Sequence, residues 1–205
     1  MTASDFALLA LATLVGGIPF GYLAGRLVKG VDLRRVGSGN LGATNAIRQL
    51  GWGWGIAVFG LDLFKGWLAV GLAQRLGGEV PSWLPLAAGL AAILGHSFTP
   101  YLGFRGGKGV ATSAGVFLRL APVATGLTLL VFAVVVLASR IVSLSSLTAA
   151  TAMPLFLLWR QPGDRPLFGF ALLIALLIWI RHRANLRRLL RGEEPRFGGP
   201  RKGAA

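Results

Sequence analysis

The stretch that organises this sequence is Phe104-Arg-Gly-Gly-Lys-Gly-Val-Ala-Thr112, a basic, glycine-rich segment that leads into an apolar run. Three glycines in four residues let the backbone adopt positive φ angles and approach a ligand closely. A helix that begins near Val110 would direct its unpaired N–H groups at this segment, which favours an anion. Lys108 adds a mobile positive charge suited to phosphate. The four-residue spacer of a nucleotide P-loop is absent, and a turn with membrane-anchoring charges is the alternative interpretation.

The composition around this stretch is typical of a membrane protein. Of the 205 residues, 54% are apolar and only 14% are charged, and the mean hydropathy is +0.67. Several apolar runs approach the roughly 20 residues that a helix needs to cross a bilayer, and they lack the alternation of a transmembrane β-barrel. We therefore predict an all-α fold, a polytopic integral membrane helix bundle with about seven transmembrane or partly spanning helices.

The reactive residue types exclude several kinds of chemistry. The chain has no cysteine, which excludes disulfides and thiolate catalysis. With two histidines and no cluster of acids, we predict no metal and no cofactor. The net charge of +14 is explained by the positive-inside rule and by anionic headgroups. Membrane lipids are therefore predicted partners, whereas nucleic acid and an obligate protein partner are not.

The apolar runs predict the organisation of the chain. The predicted segments are Phe6 to about Val28, Trp52 to Leu76, Leu84 to about Tyr101, Val110 to Leu120, Pro122 to about Ser139, Leu147 to Trp159, and Leu167 to about Leu190. The first lacks the charged start of a signal peptide, so we interpret it as a retained membrane helix, bent by its glycines and Pro19. Turns are predicted at 77–83 and 161–166 and a serine-rich link at 140–146. Residues 1–192 are predicted to form one membrane-embedded domain, and 193–205 a basic, disordered cytoplasmic tail.

Positive charges gather on one set of the predicted connections. That set holds most of the lysines and arginines, whereas the other holds only Arg75, Arg119, Arg160 and Arg165. By the positive-inside rule, the N-terminus lies outside and the C-terminus is cytoplasmic. The polar stretches rich in glycine, serine and asparagine then all face the cytoplasm, which predicts a single site on that side.

A second polar stretch follows the first apolar run, Gly37-Ser-Gly-Asn-Leu-Gly-Ala-Thr-Asn45. Its hydroxyl and amide side chains offer hydrogen bonds without net charge, so such a loop can wrap a phosphate or a carbonyl oxygen. Arg48, on the helix expected next, can clamp a phosphate through two hydrogen bonds. The alternative is a tight loop followed by a helix N-cap at Thr44 or Asn45.

Two more polar stretches lie toward the C-terminal end. From spacing alone, Ser143-Leu-Ser-Ser146 is better explained as capping of the following helix. In Arg181-His-Arg-Ala-Asn185, the histidine and the asparagine are three apart, so one helix face can present both. A snorkelling basic belt explains the neighbouring arginines but explains His182 and Asn185 less well.

Three further ionisable residues lie within or at the end of apolar runs. Asp62 and Lys65 are three apart within an apolar run, where such groups should face protein or water. We interpret them as a structural ion pair. His96 stands at a helix end near the glycine-rich stretch, where structural and catalytic roles both stay open.

Taken together, these motifs resemble the bacterial membrane acyl-phosphate:glycerol-3-phosphate acyltransferases, the PlsY family. The resemblance rests on residues 37–45, Gly95-His96 with 104–112, 143–146 and 182–185, in the family's order over nearly the whole chain. It implies a seven-helix enzyme of the bacterial inner membrane with a cytoplasm-facing site. Such an enzyme transfers an acyl group from acyl phosphate to the 1-hydroxyl of glycerol 3-phosphate, the first acylation of phospholipid synthesis. The His-x-x-x-x-Asp pair of other glycerolipid acyltransferases is absent after both His96 and His182.

The resemblance also implies roles for single residues. Catalytic candidates are Ser38, Lys108, His182 and Asn185. Substrate-binding candidates are Asn40, Thr44, Asn45, Arg48, Gly106, Gly107, Gly109, Ser143 and Ser146. Among these, Ser38 and the loop at 106–109 would bind the acyl phosphate. Glycerol 3-phosphate would be held by Arg48, Lys108, Ser146, His182 and Asn185, with Ser143 as the alternative to Ser146.

Two functions of other classes compete with acyl transfer. A permease for an anion or organic phosphate would also aim the N-termini of broken helices at its substrate, but no paired inverted repeat is visible. A lipid-binding scaffold would explain the basic belt but not three separate polar loops.

For acyl transfer, we expect direct attack of the glycerol hydroxyl on the acyl carbonyl, with the proton passing to the leaving phosphate or to His182.

Overall fold

The computed structural model describes residues 2–76 and 83–198, and within these ranges the regular structure is helical. The α-helices are α1 (Ala3–Gly17), α2 (Phe20–Lys29), α3 (Ala43–Leu50), α4 (Trp52–Leu76), α5 (Leu84–Ser97), α6 (Val110–Leu120), α7 (Pro122–Ser139), α8 (Val142–Arg160), α9 (Arg165–Arg181) and α10 (Arg183–Leu190). A short 3-10 helix, Pro100–Leu102, follows α5. The turn predicted at 77–83 lies, except for Trp83, outside the described residues.

Seven apolar segments account for most of these helices. In the described part of the chain, four are long and apolar enough to cross a membrane: Ala3–Lys29, Trp52–Arg75, Pro122–Ser139 and Val142–Arg160. The pair α9 and α10 makes a fifth if it is one span bent by 64°. The helices α5, with 14 residues, and α6, with 11, are shorter. This agrees with the predicted number of spanning or partly spanning segments.

The first span is interrupted as its proline predicts. Helix α1 ends at Gly17 and α2 begins at Phe20, because Pro19 lacks an N–H group and cannot continue a helix. Two side chains bond to the carbonyls at this break. The hydroxyl of Thr99 donates to Gly17 O at 2.6 Å, and Lys65 Nζ donates to Ile18 O at 2.9 Å. Donors from other parts of the protein are what allow an irregular backbone at membrane depth.

The sequence predicted that the serine-rich stretch links two helices, but most of it belongs to a helix. Helix α8 begins at Val142, so Ser143–Ser146 form its first turns. The hydroxyls of Ser145 and Ser146 donate to the carbonyls of Ile141 and Val142, four residues back, at 2.9 Å each. Because the helix itself satisfies these hydroxyls, the serines do not end it.

Two other boundaries also differ from the prediction. Helix α5 ends at Ser97 rather than near Tyr101. The last predicted helix is two helices, since α9 ends at Arg181 and α10 begins at Arg183. The bend separates an apolar helix from an arginine-rich one, and these compositions suit the bilayer core and its headgroup region respectively.

The chain forms two compact units, Met1–Pro122 and Val123–Ala205. In the first, α4 packs on α3, α5 and α6, and α1 packs on α5. A side chain at Gly16 of α1 would overlap the backbone of Ala92 in α5, and one at Gly115 of α6 would overlap the backbone of Leu63 in α4. Such close approach of backbones is how helices associate in lipid.

In the second unit, α8 packs on α9. The hydroxyl of Thr128 in α7 donates to the sulfur of Met153 in α8, and Trp179 Nε1 in α9 donates to the hydroxyl of Thr151 in α8, at 3.2 Å each. Polar side chains therefore supplement the apolar contacts between these helices. The single domain predicted over 1–192 stays a prediction.

Candidate active site

Asn45 organises the asparagine-rich loop, residues 37–45. Its side chain is buried, and its Oδ1 accepts from the N–H of Ser38 at 3.1 Å. Its Nδ2 donates to the carbonyls of Leu33 and Val36 at 3.1 Å each and of Asn40 at 2.9 Å. Because an amide group both donates and accepts, this one side chain holds the loop together from inside.

The helix after this loop begins without the predicted side-chain cap. The N-cap of α3 is Gly42, and no side chain caps it, so the alternative of a cap at Thr44 or Asn45 is wrong. The contacts of Asn45 give it a scaffold role beside Ser38, and direct substrate binding by Asn45 stays a prediction. The other candidates on this loop and helix are exposed or partly exposed: Ser38, Asn40, Thr44 and Arg48.

The glycine-rich loop, residues 104–112, closes onto the C-terminal end of α5. The N–H of Gly106 donates to Ser97 O at 3.2 Å, and the N–H of Gly107 donates to His96 O at 3.0 Å. Carbonyls at the end of a helix otherwise lack a partner within it. These two N–H groups therefore donate to carbonyls of the protein itself. The N–H groups that can still bind an anion, as predicted for this loop, are those that follow at the start of α6.

Those following N–H groups belong to the start of α6. Its N-cap is Gly109 with φ +82°, a left-handed conformation that favours glycine, and no side chain caps the helix. The first-turn N–H groups have no partner within the helix, and its positive dipole end favours an anion. Lys108, which is partly exposed, immediately precedes them. This arrangement suits the phosphate site predicted for Lys108 and the loop glycines.

The two loops border one small cleft in the first unit. Leu41 of the asparagine-rich loop and Gly107 of the glycine-rich loop both line it. The cleft is also lined by the residues at the break between α1 and α2, and by Asp62 and His96. One residue of each loop therefore lies at the same cleft. That both loops serve the same reactants stays a prediction.

In the second unit, Glu194 gathers several polar side chains. Its Oε1 accepts from the hydroxyl of Ser143 at 2.7 Å and from the side-chain amide of Asn185, and its Oε2 accepts from Arg188 Nε at 2.7 Å. Its side chain is 8% exposed. Burial opposes ionisation, but the hydrogen bonds from these residues outweigh burial and lower the pKa of Glu194 below its ordinary value.

Glu194 is not among the candidate residues predicted from the sequence, because it lies in the tail predicted to be disordered. The structure describes residues 193–198, and the N–H of Phe197 donates to Arg140 O at 2.6 Å. Residues 199–205 lie outside the described residues. The available signal was an acidic pair, Glu193-Glu194, in an otherwise basic segment.

The candidate serines lie three apart on α8, and both are buried. The hydroxyl of Ser143 donates to Glu194, and that of Ser146 donates to Val142 O. No side chain caps α8, so the capping role favoured for these serines is wrong. Since a hydroxyl has a single proton, each serine in this state can accept a hydrogen bond from a substrate hydroxyl but cannot also donate to a phosphate.

His182 is the residue at the bend between α9 and α10, and it is buried. The sequence predicted that His182 and Asn185 lie on one continuous helix, but His182 lies at the bend before α10. Its Nδ1 lies 2.8 Å from Ile178 O. Since a carbonyl only accepts, Nδ1 carries the proton, and the lone pair of the neutral ring lies on Nε2. That tautomer suits a general base or an acceptor for a substrate hydroxyl.

Comparison with known proteins identifies the family. The sequence model of glycerol-3-phosphate acyltransferase matches residues 6–192. A glycerol-3-phosphate acyltransferase from a Synechococcus strain is 48% identical, over 97% of this chain and 98% of its own length. The chain belongs to the glycerol-3-phosphate acyltransferase family. It is thus a glycerol-3-phosphate acyltransferase, and neither a permease nor a lipid-binding scaffold is favoured.

Solved structures of this family have the same fold. The crystal structure of PlsY, an integral membrane glycerol 3-phosphate acyltransferase, in its glycerol 3-phosphate form is 43% identical, with a TM-score of 0.90 over 96% of both chains. Its lysophosphatidic acid form is 42% identical, with a TM-score of 0.87 over the same share. The predicted resemblance to PlsY and the predicted polytopic membrane helix bundle are confirmed. The predicted roles of single residues stay predictions.

Proposed function

We propose that this acyltransferase takes its acyl group from an acyl phosphate and transfers it to the 1-hydroxyl of glycerol 3-phosphate. The products are lysophosphatidic acid and inorganic phosphate, and the reaction is the first acylation of bacterial phospholipid synthesis. The observation that carries the proposal is the start of α6, where uncapped helical N–H groups follow Lys108 beside a loop that borders the cleft. Positive charge at this position offsets the negative charge of phosphate.

The proposed reaction needs little activation of the nucleophile, because an acyl phosphate is a mixed anhydride with a good leaving group. The glycerol hydroxyl oxygen forms a bond to the acyl carbon, and the bond from that carbon to the phosphate oxygen breaks. The phosphate leaves with the electron pair, and the hydroxyl proton passes either to the phosphate or to His182. Lys108 and the N-terminus of α6 stabilise the charge on the departing phosphate.

The residues divide between the two substrates. Ser38 and the loop at 106–109 bind the acyl phosphate. From the contacts above, Gly106 and Gly107 contribute shape rather than N–H donors. Arg48 and Lys108 bind the phosphate of glycerol 3-phosphate. The hydroxyls of glycerol 3-phosphate form hydrogen bonds with His182, Asn185 and one of the two serines, Ser143 or Ser146.

The proposed location is the bacterial inner membrane, with the site on the cytoplasmic side. The distribution of arginine and lysine supports this orientation. The acyl chain then lies against apolar helix surface and enters sideways from the membrane. Acyl phosphate, glycerol 3-phosphate and membrane lipids are the proposed partners.

Purified protein in detergent tests the proposed donor. With acyl phosphate and labelled glycerol 3-phosphate, we expect lysophosphatidic acid and inorganic phosphate to appear in equal amounts. The matched control replaces acyl phosphate with an acyl thioester of the same chain, which should give no product. Transfer from the thioester alone would contradict the choice of donor.

A variant of His182 separates the two proton routes. If His182 only positions glycerol 3-phosphate, His182→Ala should raise KM for this substrate while the rise of kcat with pH persists. If His182 is the general base, that rise should disappear, provided chemistry limits the rate. The measurement is the pH profile of kcat for both proteins.

A further inference from the structure

A cluster of buried ionisable side chains lies beside the cleft and has no role in the proposed reaction. Lys65 Nζ is 2.7 Å from Asp62 Oδ1, and both side chains are nearly inaccessible, at 2% and 3% exposure. His96 Nδ1 approaches the same Asp62 oxygen at 3.5 Å, and its side chain is 8% exposed. Ionisable groups at membrane depth are costly and are usually functional.

The break between α1 and α2 accounts for part of this cluster. Lys65 Nζ donates to Ile18 O and lies 5.5 Å from the centre of the Phe20 ring. A cation is favourable at the C-terminal end of a helix such as α1. Asp62 compensates the charge of Lys65. The interruption at Pro19 thus explains the ion pair predicted from the sequence, but it does not require His96.

His96 has a second set of contacts, to the glycine-rich loop. Its carbonyl accepts from the N–H of Gly107 at 3.0 Å. Its ring lies against the same residue, since a Cβ atom at Gly107 would overlap Nε2. The imidazole therefore has Asp62 on its Nδ1 side and Gly107 on its Nε2 side, and Gly107 is the residue before Lys108. Both Asp62 and His96 line the cleft.

We propose that His96, oriented by Asp62, is a positioning residue for acyl transfer: its ring and its carbonyl together set the place of Gly107 at the cleft and hence of Lys108, the next residue in the chain. This inference rests on the proposed role of the glycine-rich loop in binding acyl phosphate. It also explains glycine at position 107 by the space that the imidazole occupies, rather than by its backbone conformation.

The first test compares single variants by steady-state kinetics. In His96→Asn we expect kcat/KM for acyl phosphate to fall at least tenfold and KM for glycerol 3-phosphate to rise as well, because Lys108 is assigned to the phosphates of both substrates. Thr128→Val removes a partly buried hydrogen bond between α7 and α8, in the second unit. It should lower the thermal midpoint without shifting KM for acyl phosphate. Equal kinetic loss in both variants would overturn the positioning role.

The second test uses the overlap between Gly107 and the imidazole. Gly107→Ala should lose most activity, because its Cβ collides with the ring. Adding His96→Ala removes the ring, so the double variant should be at least tenfold more active than the product of the two single effects predicts. Multiplicative effects would overturn the inference. Activity is measured in membranes and normalised to the amount of protein, so that poor purification of one variant does not decide the result.

Lys108→Ala, assayed alongside, separates this inference from the function on which it rests. If Lys108→Ala loses turnover and the His96 variants do not, the positioning role fails and the proposed loop function stands. If both Lys108→Ala and His96→Asn keep wild-type kinetics for acyl phosphate, the assignment of the loop to acyl phosphate fails together with the inference.

Discussion

Among single residues, Lys108 has the most direct predicted effect on turnover. It precedes the uncapped start of α6, where positive charge opposes the negative charge of two phosphate-bearing substrates. We expect Lys108→Ala to lower kcat/KM by about 100-fold or more, the usual cost of removing one such group, while the protein stays folded in the membrane. The measurement is release of inorganic phosphate by purified protein.

Arg105 provides the matched control for Lys108. It is an exposed cation in the same loop, so Arg105→Ala removes the same formal charge from nearly the same place. We expect this variant to retain activity within about threefold, since exposed charges act weakly through water. Near-normal activity in Lys108→Ala, or equal losses in both variants, would remove Lys108 from the site.

A second prediction for a single residue concerns Asn45. Replacing it by alanine removes the partner of the Ser38 N–H and of three carbonyls. Each buried group left without a partner costs about 1 to 3 kcal/mol. We therefore expect Asn45→Ala to lower both the thermal midpoint and the activity, measured on the same preparation. Asn40→Ala removes only the bond from the Gly42 N–H and should destabilise less; a reversed order would contradict the scaffold role.

At the level of helices and segments, Glu194 joins the start of α8 to α10 through Ser143, Asn185 and Arg188. Its lowered pKa means that the folded state favours the ionised form. This stabilisation is fully present above the ordinary pKa of glutamate and is lost as the pH falls through the lower, folded-state pKa. Glu194→Gln should therefore have a lower thermal midpoint than the wild type at neutral pH, and the difference should shrink in acid.

The neighbouring Glu193 serves as the control for this pH dependence. It is exposed, so Glu193→Gln should leave the thermal midpoint almost unchanged at every pH. Thermal unfolding in detergent between pH 7 and pH 3 is the measurement. A difference between wild type and Glu194→Gln that stays constant over this range would show that the carboxylate charge does not stabilise the second unit.

At the scale of the whole molecule, the predicted topology places the N-terminus outside and the C-terminus in the cytoplasm. Because the chain has no cysteine, a single introduced cysteine can be labelled selectively. We expect an impermeant maleimide to label Ser4→Cys in intact cells with a permeabilised outer membrane, and to label Glu193→Cys only after the inner membrane is opened. Both positions are exposed. The opposite labelling pattern would place the proposed site on the other side.

Much of the helical organisation was predictable from the sequence, because apolar length is a local property. The predicted bounds Trp52–Leu76, Val110–Leu120 and Pro122–Ser139 are those observed. The interruption near Pro19 was also predictable, since proline affects the backbone wherever it occurs. The polar motifs identified the family for the same reason, as short stretches whose residue types and order can be recognised without coordinates.

Other features depend on partners that are distant in the chain. The role of the serines at 143–146 depends on which groups accept hydrogen bonds from their hydroxyls. The acceptors are a carbonyl of α8 for Ser146 and the carboxylate of Glu194 for Ser143. The hydrogen bonds of Asn45 are of the same kind, because the carbonyls to which it donates are brought to it by the folding of residues 33–40.

The amino-acid sequence alone determined the class of the molecule and the candidates for its chemistry: a bundle of apolar helices with basic, glycine-rich and asparagine-rich loops. Only the tertiary structure decided which loop N–H groups are already used by α5, which carboxylate holds Ser143 and Asn185, and why His96 lies against Gly107. The physical reason is that hydrogen bonds and close contacts join atoms by their distance in space, whereas hydropathy and backbone preference are properties of neighbouring residues in the chain.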